Sequence, residues 1–142
     1  MSSVDRDRSR AGRRTWPVKF YRAADGSQPA DGFIDAQPRQ AQAMIDSYLG
    51  RLALFGPSLP FPASSQVDGE LRELRPDMGR THYRHLYRRS DDMFIILHAF
   101  IKRGGSIDQA EITIANGRWE DFKVRMNADP RRQPSAIGRV AP

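Results

Sequence analysis

The stretch MFIILHAFIKRGGS, residues 93–106, is almost wholly apolar for nine positions, yet it holds His98 and ends in Lys102 and Arg103. An imidazole moves protons near neutral pH. An ammonium is a compact positive charge, and a guanidinium is a planar fork that matches phosphate oxygens. Just upstream, six arginines (72, 75, 80, 84, 88 and 89) stand against Glu73 and Asp77 alone. Residues two apart in a strand share a face. Phe94, Ile96, His98, Phe100 and Lys102 are therefore expected on one side of a strand, and Ile95, Leu97, Ala99 and Ile101 on the other. The same rule groups His82, Arg84, Leu86 and Arg88 against Tyr83, His85 and Tyr87, and it groups Arg72 and Leu74 against Leu71, Glu73 and Arg75. Antiparallel neighbours then gather Arg72 or Arg75 with Arg84, His98 and Lys102 in one patch. His98 and Lys102, four strand rises apart, stand about 13 Å from each other, with Arg84 placed to clamp a phosphate between them.

Such a patch suits a phosphodiester, and aromatic rings nearby suit the bases of single-stranded RNA. Metal-free cleavage needs a base for the 2′-hydroxyl, positive charge on the developing phosphorane and an acid for the 5′ oxygen. His98 is the natural proton carrier of the set. A lone histidine in an apolar strand is equally at home as a hydrogen-bonded core residue, and both readings stand. Lys102 at a strand end also fits simple exposure to solvent. Glu73 reads as the ion-pair partner of a neighbouring arginine rather than as a base. His82 and His85 are expected at the surface. They point to opposite faces, so with His98 they make no ligand set, and no metal is expected.

The elements that must hold these residues follow from pattern. WPVKFYR (16–22) alternates and is rich in aromatic and β-branched types, which predicts a strand. Residues 23–32 read as a loop, and Phe33, Ile34 and Ala36 as a short helix ending before Pro38. A longer helix is predicted from Pro38 to Phe55, with Met44, Ile45, Tyr48, Leu49, Leu52 and Phe55 on one stripe. Gly56 then stops it. The Pro-rich segment 56–69 reads as a loop. Strands are predicted at 70–75, 81–89 and 93–102, and their short links favour antiparallel pairing. Ser106 and Gln109 form a capping-box pattern, and Ile112, Ala115, Trp119, Phe122 and Met126 mark a last amphipathic helix. The order predicts an α+β fold: a mostly antiparallel four-stranded sheet with helices packed on it.

The chain has 142 residues, enough for one domain, and no cysteine, which excludes disulfides and thiolate metal sites. No apolar run is long enough to cross a bilayer. Residues 1–15 lack the apolar stretch of a signal peptide, so a cytoplasmic protein is expected. The net charge of +6 points to nucleic acid, but five of those charges fall in residues 1–15 and 126–142. The expected organisation is a disordered basic tail (1–15), one domain (16–126) and a polar C-terminal tail (127–142).

Four blocks resemble a known family. GELRELR (69–75), YRHLY (83–87), FIILHAFIKR (94–103) and EITIANGR (111–118) look like the core motifs of the RelE/HigB toxins, in their phage-derived HigB-like branch. The resemblance spans roughly residues 16–126. It implies a RelE-like fold and the toxin of a type II toxin–antitoxin system: an mRNA endoribonuclease, metal-independent and acting on the ribosome, that stops translation and growth. It implies no cofactor, and a HigA-like helix-turn-helix antitoxin as partner. Matched by motif, His98, Lys102, Arg84 and Arg75 are the expected catalytic residues and Arg118 an expected RNA contact; Arg72, Arg88 and Arg103 are the other expected RNA contacts. The chain departs from the pattern in having Ser64, Ser65 and Gln66 where the family often has Lys. It also has RGGS after Lys102 in place of a Lys/Thr-rich stretch. The alternative from another class is a non-catalytic module of the same fold that binds RNA, the ribosome or a partner protein.

Overall fold

A computed structural model describes residues 15–128. Apart from Thr15, Asn127 and Ala128, the two expected tails lie outside the described residues. The chain runs β1 (Val18–Phe20), α1 (Pro29–Asp35), α2 (Arg39–Phe55), β2 (Ser64–Asp68), β3 (Leu71–Leu74), β4 (Asp77–Met78), β5 (Thr81–Ser90), β6 (Met93–Lys102) and α3 (Gln109–Ala128). The strands form one sheet in the order β1-β6-β5-β3-β2, with β4 also paired to β5. All pairings are antiparallel except β1 with β6. The α+β class is as expected, but the sheet has six strands rather than four and is mixed.

The two extra strands are short and polar. β2, sequence SSQVD, lies at the sheet edge within the segment expected to be a loop. An edge strand needs no apolar face to gain its ladder of hydrogen bonds, so composition hides it. β4 occupies the two residues before the Gly79–Arg80 turn. α1 also starts earlier than expected, at Pro29 inside the anticipated loop, with the proline in its first turn.

Each sheet face is covered. α1 and α2 lie on one side, where Ile34, Ala41, Ile45, Leu49 and Leu52 pack against Phe20, Leu74, Tyr83, Tyr87, Phe94 and Ile96. Phe55 leaves the expected stripe and is half exposed. Gly56 ends α2 at φ +56, and a Cβ there would collide with the Trp16 indole. On the other side, Ala115, Trp119 and Phe122 of α3 cover Tyr21, Leu71, Leu86, Ile95 and Leu97. Burying each such Leu, Ile or Phe is worth about 1.5–3 kcal/mol, so both helical layers have cause to dock.

Strict alternation along β6 does not hold. Leu86 pairs with His98 but Tyr87 pairs with Ile96, so Leu97 is an extra residue, a β-bulge. Phe94 and Ile96 face α1 and α2, with Ala99 and Ile101, whereas Ile95, Leu97 and Phe100 face α3. The two expected faces therefore exchange at the bulge. His98, Phe100 and Lys102 share the α3 side, but Phe94 and Ile96 do not join them. One inserted residue inverts the alternation, and nothing in a run that is apolar but for His98 signals where it sits.

Candidate functional site

The α3 side of β5 and β6 carries polar residues where the strands run past the start of α3. Three rows cross the sheet there. Asp77, His82 and Lys102 stand opposite one another on β4, β5 and β6. Arg84 faces Phe100 in the next row. Ser65, Glu73, Leu86 and His98 form the third, across β2, β3, β5 and β6. Successive rows are two residues apart, about 7 Å.

His98 is held on both sides. Its Nε2 lies 2.7 Å from Glu111 Oε1, and Arg118 Nη1 lies 3.2 Å from its Nδ1. A guanidinium can only donate, so Nδ1 accepts and the proton is on Nε2, donated to Glu111. The ring stacks on Phe100 at 5.2 Å and is 12% exposed. Burial pushes its pKa down, the Glu111 carboxylate offsets this in part, and the Arg118 charge adds to the depression. The same Arg118 Nη1 donates to the carbonyl of Leu97 at 2.9 Å. The bulge puts that carbonyl out of register, and α3 supplies its donor.

Arg84 is 2% exposed and joins the rows. Its Nη1 donates to Asp77 Oδ1 at 2.7 Å and to the Tyr83 carbonyl at 2.9 Å, and its Nε lies 3.4 Å from Glu73 Oε1. Glu73 also pairs with Arg75 at 3.3 Å and accepts from the Ser65 hydroxyl, so it is ion-paired as the sequence suggested. Arg75 donates to the Pro62 carbonyl, and its guanidinium lies 4.9 Å from the centre of the Phe61 ring, a side chain that is 69% exposed. His82 Nδ1 lies 2.9 Å from the same Asp77 oxygen that Arg84 uses. Burial pushes the Asp77 carboxyl up, but the hydrogen bonds from Arg84 and His82 outweigh it and hold the group below the usual carboxylate range. Lys102 Nζ donates to the Gly105 carbonyl at 2.7 Å.

The structure thus brings Arg75, Arg84, His98 and Lys102 to one face, with Arg118 behind His98 and Arg103 exposed just past β6. Two other expected RNA contacts lie elsewhere. Arg72 is on the α2 side, donating to Ser64 Oγ, which in turn bonds Tyr87. Arg88 is on the α3 side but at the far end of β5, over the Trp119 ring at 4.5 Å. His85 is a correction. It was expected at the surface, yet it is fully buried beside the Phe33 ring, with no hydrogen-bond partner for either ring nitrogen. Burial, with the Arg84 charge next, lowers its pKa to about 3. Sequence reasoning missed Phe61, Asp77, His82 and Glu111 as members of the site. For Asp77 and His82 a signal existed: a two-residue Gly79–Arg80 turn sets Met78 opposite Thr81 and Asp77 opposite His82.

Among the described residues, no group of three or more His, Asp or Glu side chains is placed to hold a metal ion, and no helix is long and apolar enough to cross a membrane. A search of curated proteins finds no match. A family model described as "Phage derived protein Gp49-like (DUF891)" matches residues 32–120, from α1 through most of α3 and including every strand of the polar face. That match covers more than half of the chain, and the family is toxin-like and RelE-related: the chain belongs to the phage-derived Gp49-like family.

Proposed function

We propose that this protein is a toxin that cleaves mRNA without a metal ion, acting on the ribosome and held in check by a helix-turn-helix antitoxin. The observation that carries this reading is the gathering of Arg75, Arg84 and Lys102 on one open sheet end, beside His98 and an exposed aromatic ring, Phe61. Five cations, counting Arg103 and Arg118, stand there against the three carboxylates Glu73, Asp77 and Glu111. A strand of RNA can lay a phosphate on the cationic rows while a base stacks on Phe61. In-line attack by a 2′-oxygen then breaks the bond from phosphorus to the 5′ oxygen. This leaves a 2′,3′-cyclic phosphate and a 5′-hydroxyl. Lys102 supplies charge to the pentavalent phosphorus. Arg84, spent on two carboxylates, fixes the rows rather than approaching the phosphate itself.

An uninhibited nuclease of this kind would halt its own cell. Induced expression should therefore stop growth, and co-expression of a helix-turn-helix protein encoded beside it should restore growth and yield a co-purifying complex. Unimpaired growth of cells holding the folded protein would contradict the reading.

A further inference from the structure

Three histidines are present, and the described residues include all of them. They differ in what their ring nitrogens can still do. His85 is sealed in the core with neither nitrogen reachable. His98 has both nitrogens engaged, one by Glu111 and one by Arg118. His82 is different. Its Nδ1 is tied to Asp77, its Nε2 has no partner among the described residues, and its side chain is 43% exposed.

We propose that His82, oriented by Asp77 and facing Lys102 across the sheet, is the group that takes the 2′-hydroxyl proton when this protein cleaves RNA. The assignment rests on the nuclease reading above and names its proton acceptor.

The geometry argues for it in three steps. Asp77 is held ionised by Arg84 Nη1 at 2.7 Å. An ionised carboxylate only accepts, so in the neutral ring the His82 proton lies on Nδ1 and the lone pair on Nε2. The tautomer that can act as a base is therefore fixed before substrate arrives. Arg84 is 2% exposed, so the cation that holds Asp77 is itself anchored in the fold, and Asp77 in turn orients the imidazole by its hydrogen bond to Nδ1. Finally, His82 and Lys102 are a directly opposed cross-strand pair, with Cα atoms about 4.5–5.5 Å apart. A base and a phosphate-binding cation at that separation can serve one nucleotide. His98 and Lys102, four residues apart on one strand, stand about 13 Å apart.

In the step itself, Nε2 takes the proton from the 2′-hydroxyl, and the 2′-oxygen forms a bond to phosphorus. The bond from phosphorus to the 5′ oxygen breaks, and that oxygen takes a proton from water. The imidazolium then returns its proton to solvent. Asp77 is a positioning residue and Lys102 the charge that faces the phosphorane.

The test uses the purified full chain with an end-labelled mRNA, both free and on stalled ribosomes. His82→Gln should melt like the wild type, because the side chain is at the surface, and should cleave roughly a hundred- to ten-thousand-fold more slowly. His82→Ala should lose as much and regain cleavage when free imidazole is added, a recovery that a purely structural histidine would not show. If the wild type cleaves and His82→Gln keeps its rate, or if imidazole restores nothing to His82→Ala, the assignment to His82 is overturned while the nuclease reading survives. If the wild type cleaves neither form of the RNA, the nuclease reading falls and the assignment falls with it.

Discussion

His85 and His98 are both buried enough to disfavour the charged ring, and each pKa is pushed below the ordinary value near 6.5. The unfolded chain therefore binds protons that the fold does not, and stability is full above pH 6.5 and falls as the pH drops below it. For His85, with a pKa of about 3 in the fold, the loss between pH 7 and pH 5 is roughly 2 kcal/mol. Urea unfolding at the two pH values should show this, and His85→Phe should flatten the profile. A wild-type chain equally stable at both would show that the ring is not sealed. His98 meets a different test. Gln can keep a hydrogen bond to Glu111 or Arg118 but cannot carry a proton. Because both ring nitrogens are already engaged, a folded His98→Gln protein should stay toxic on induction. A folded but harmless variant would return proton transfer to His98. The sequence made His98 and Lys102 stand out because they interrupt an apolar run. It could not reveal that His98 is enclosed by Glu111 and Arg118, residues thirteen and twenty positions away.

β6 shows where legibility ends at the scale of elements. Its extent is plain from nine near-continuous apolar residues. α2 was legible from apolar spacing and Gly56, and the last helix from apolar spacing alone: it starts at Gln109, so Ser106 stands three residues before it and the expected capping box does not form its start. The bulge at Leu97 was not legible, because apart from His98 the residues around it are apolar and either face accepts them. What fixes the bulge is distant: Arg118 of α3 satisfies the Leu97 carbonyl. Removing that donor takes one hydrogen bond from the Leu97 carbonyl, and a typical hydrogen bond contributes about 0.5–1.5 kcal/mol. Arg118→Met should therefore lower the unfolding free energy by about 0.5–1.5 kcal/mol, read as a lower urea midpoint. An unchanged midpoint would mean that the bulge is held by the strands alone. β2 and β4 were hidden for another reason. They are short, polar and paired on edges, so their stability comes from ladder hydrogen bonds that carry no side-chain pattern. Missing β4 meant missing Asp77 and His82 as a pair.

Taken whole, the molecule separates its charge from its chemistry. Five of the six net charges lie in residues 1–14 and 129–142, whereas the paired cations of the candidate site lie between Arg75 and Arg103. Weak binding to RNA is largely electrostatic and falls with salt. A chain cut to residues 15–128 should unfold as the full chain does, bind RNA less tightly, and show a shallower dependence on salt. A truncated chain that fails to fold would mean that the terminal segments belong to the domain. The fold class and the family likeness could be read from the ordered motif blocks, since three of them are the strands β3, β5 and β6 and the fourth lies in α3. The arrangement of acid, base and cation could not, because it depends on register across four strands. The most direct test of the nuclease reading is to map transcript ends after induction, comparing the wild type with Lys102→Ala. Lys102 is at the surface and bonds the Gly105 carbonyl, so its removal should leave the fold intact. Losing a transition-state charge contact costs about 2.7–4 kcal/mol, or roughly a hundred- to a thousand-fold in rate. The wild type should produce new 5′-hydroxyl ends within coding regions as growth stops, and Lys102→Ala should produce almost none. Growth arrest without new transcript ends, or equal cleavage by both proteins, would contradict RNA cleavage at this face.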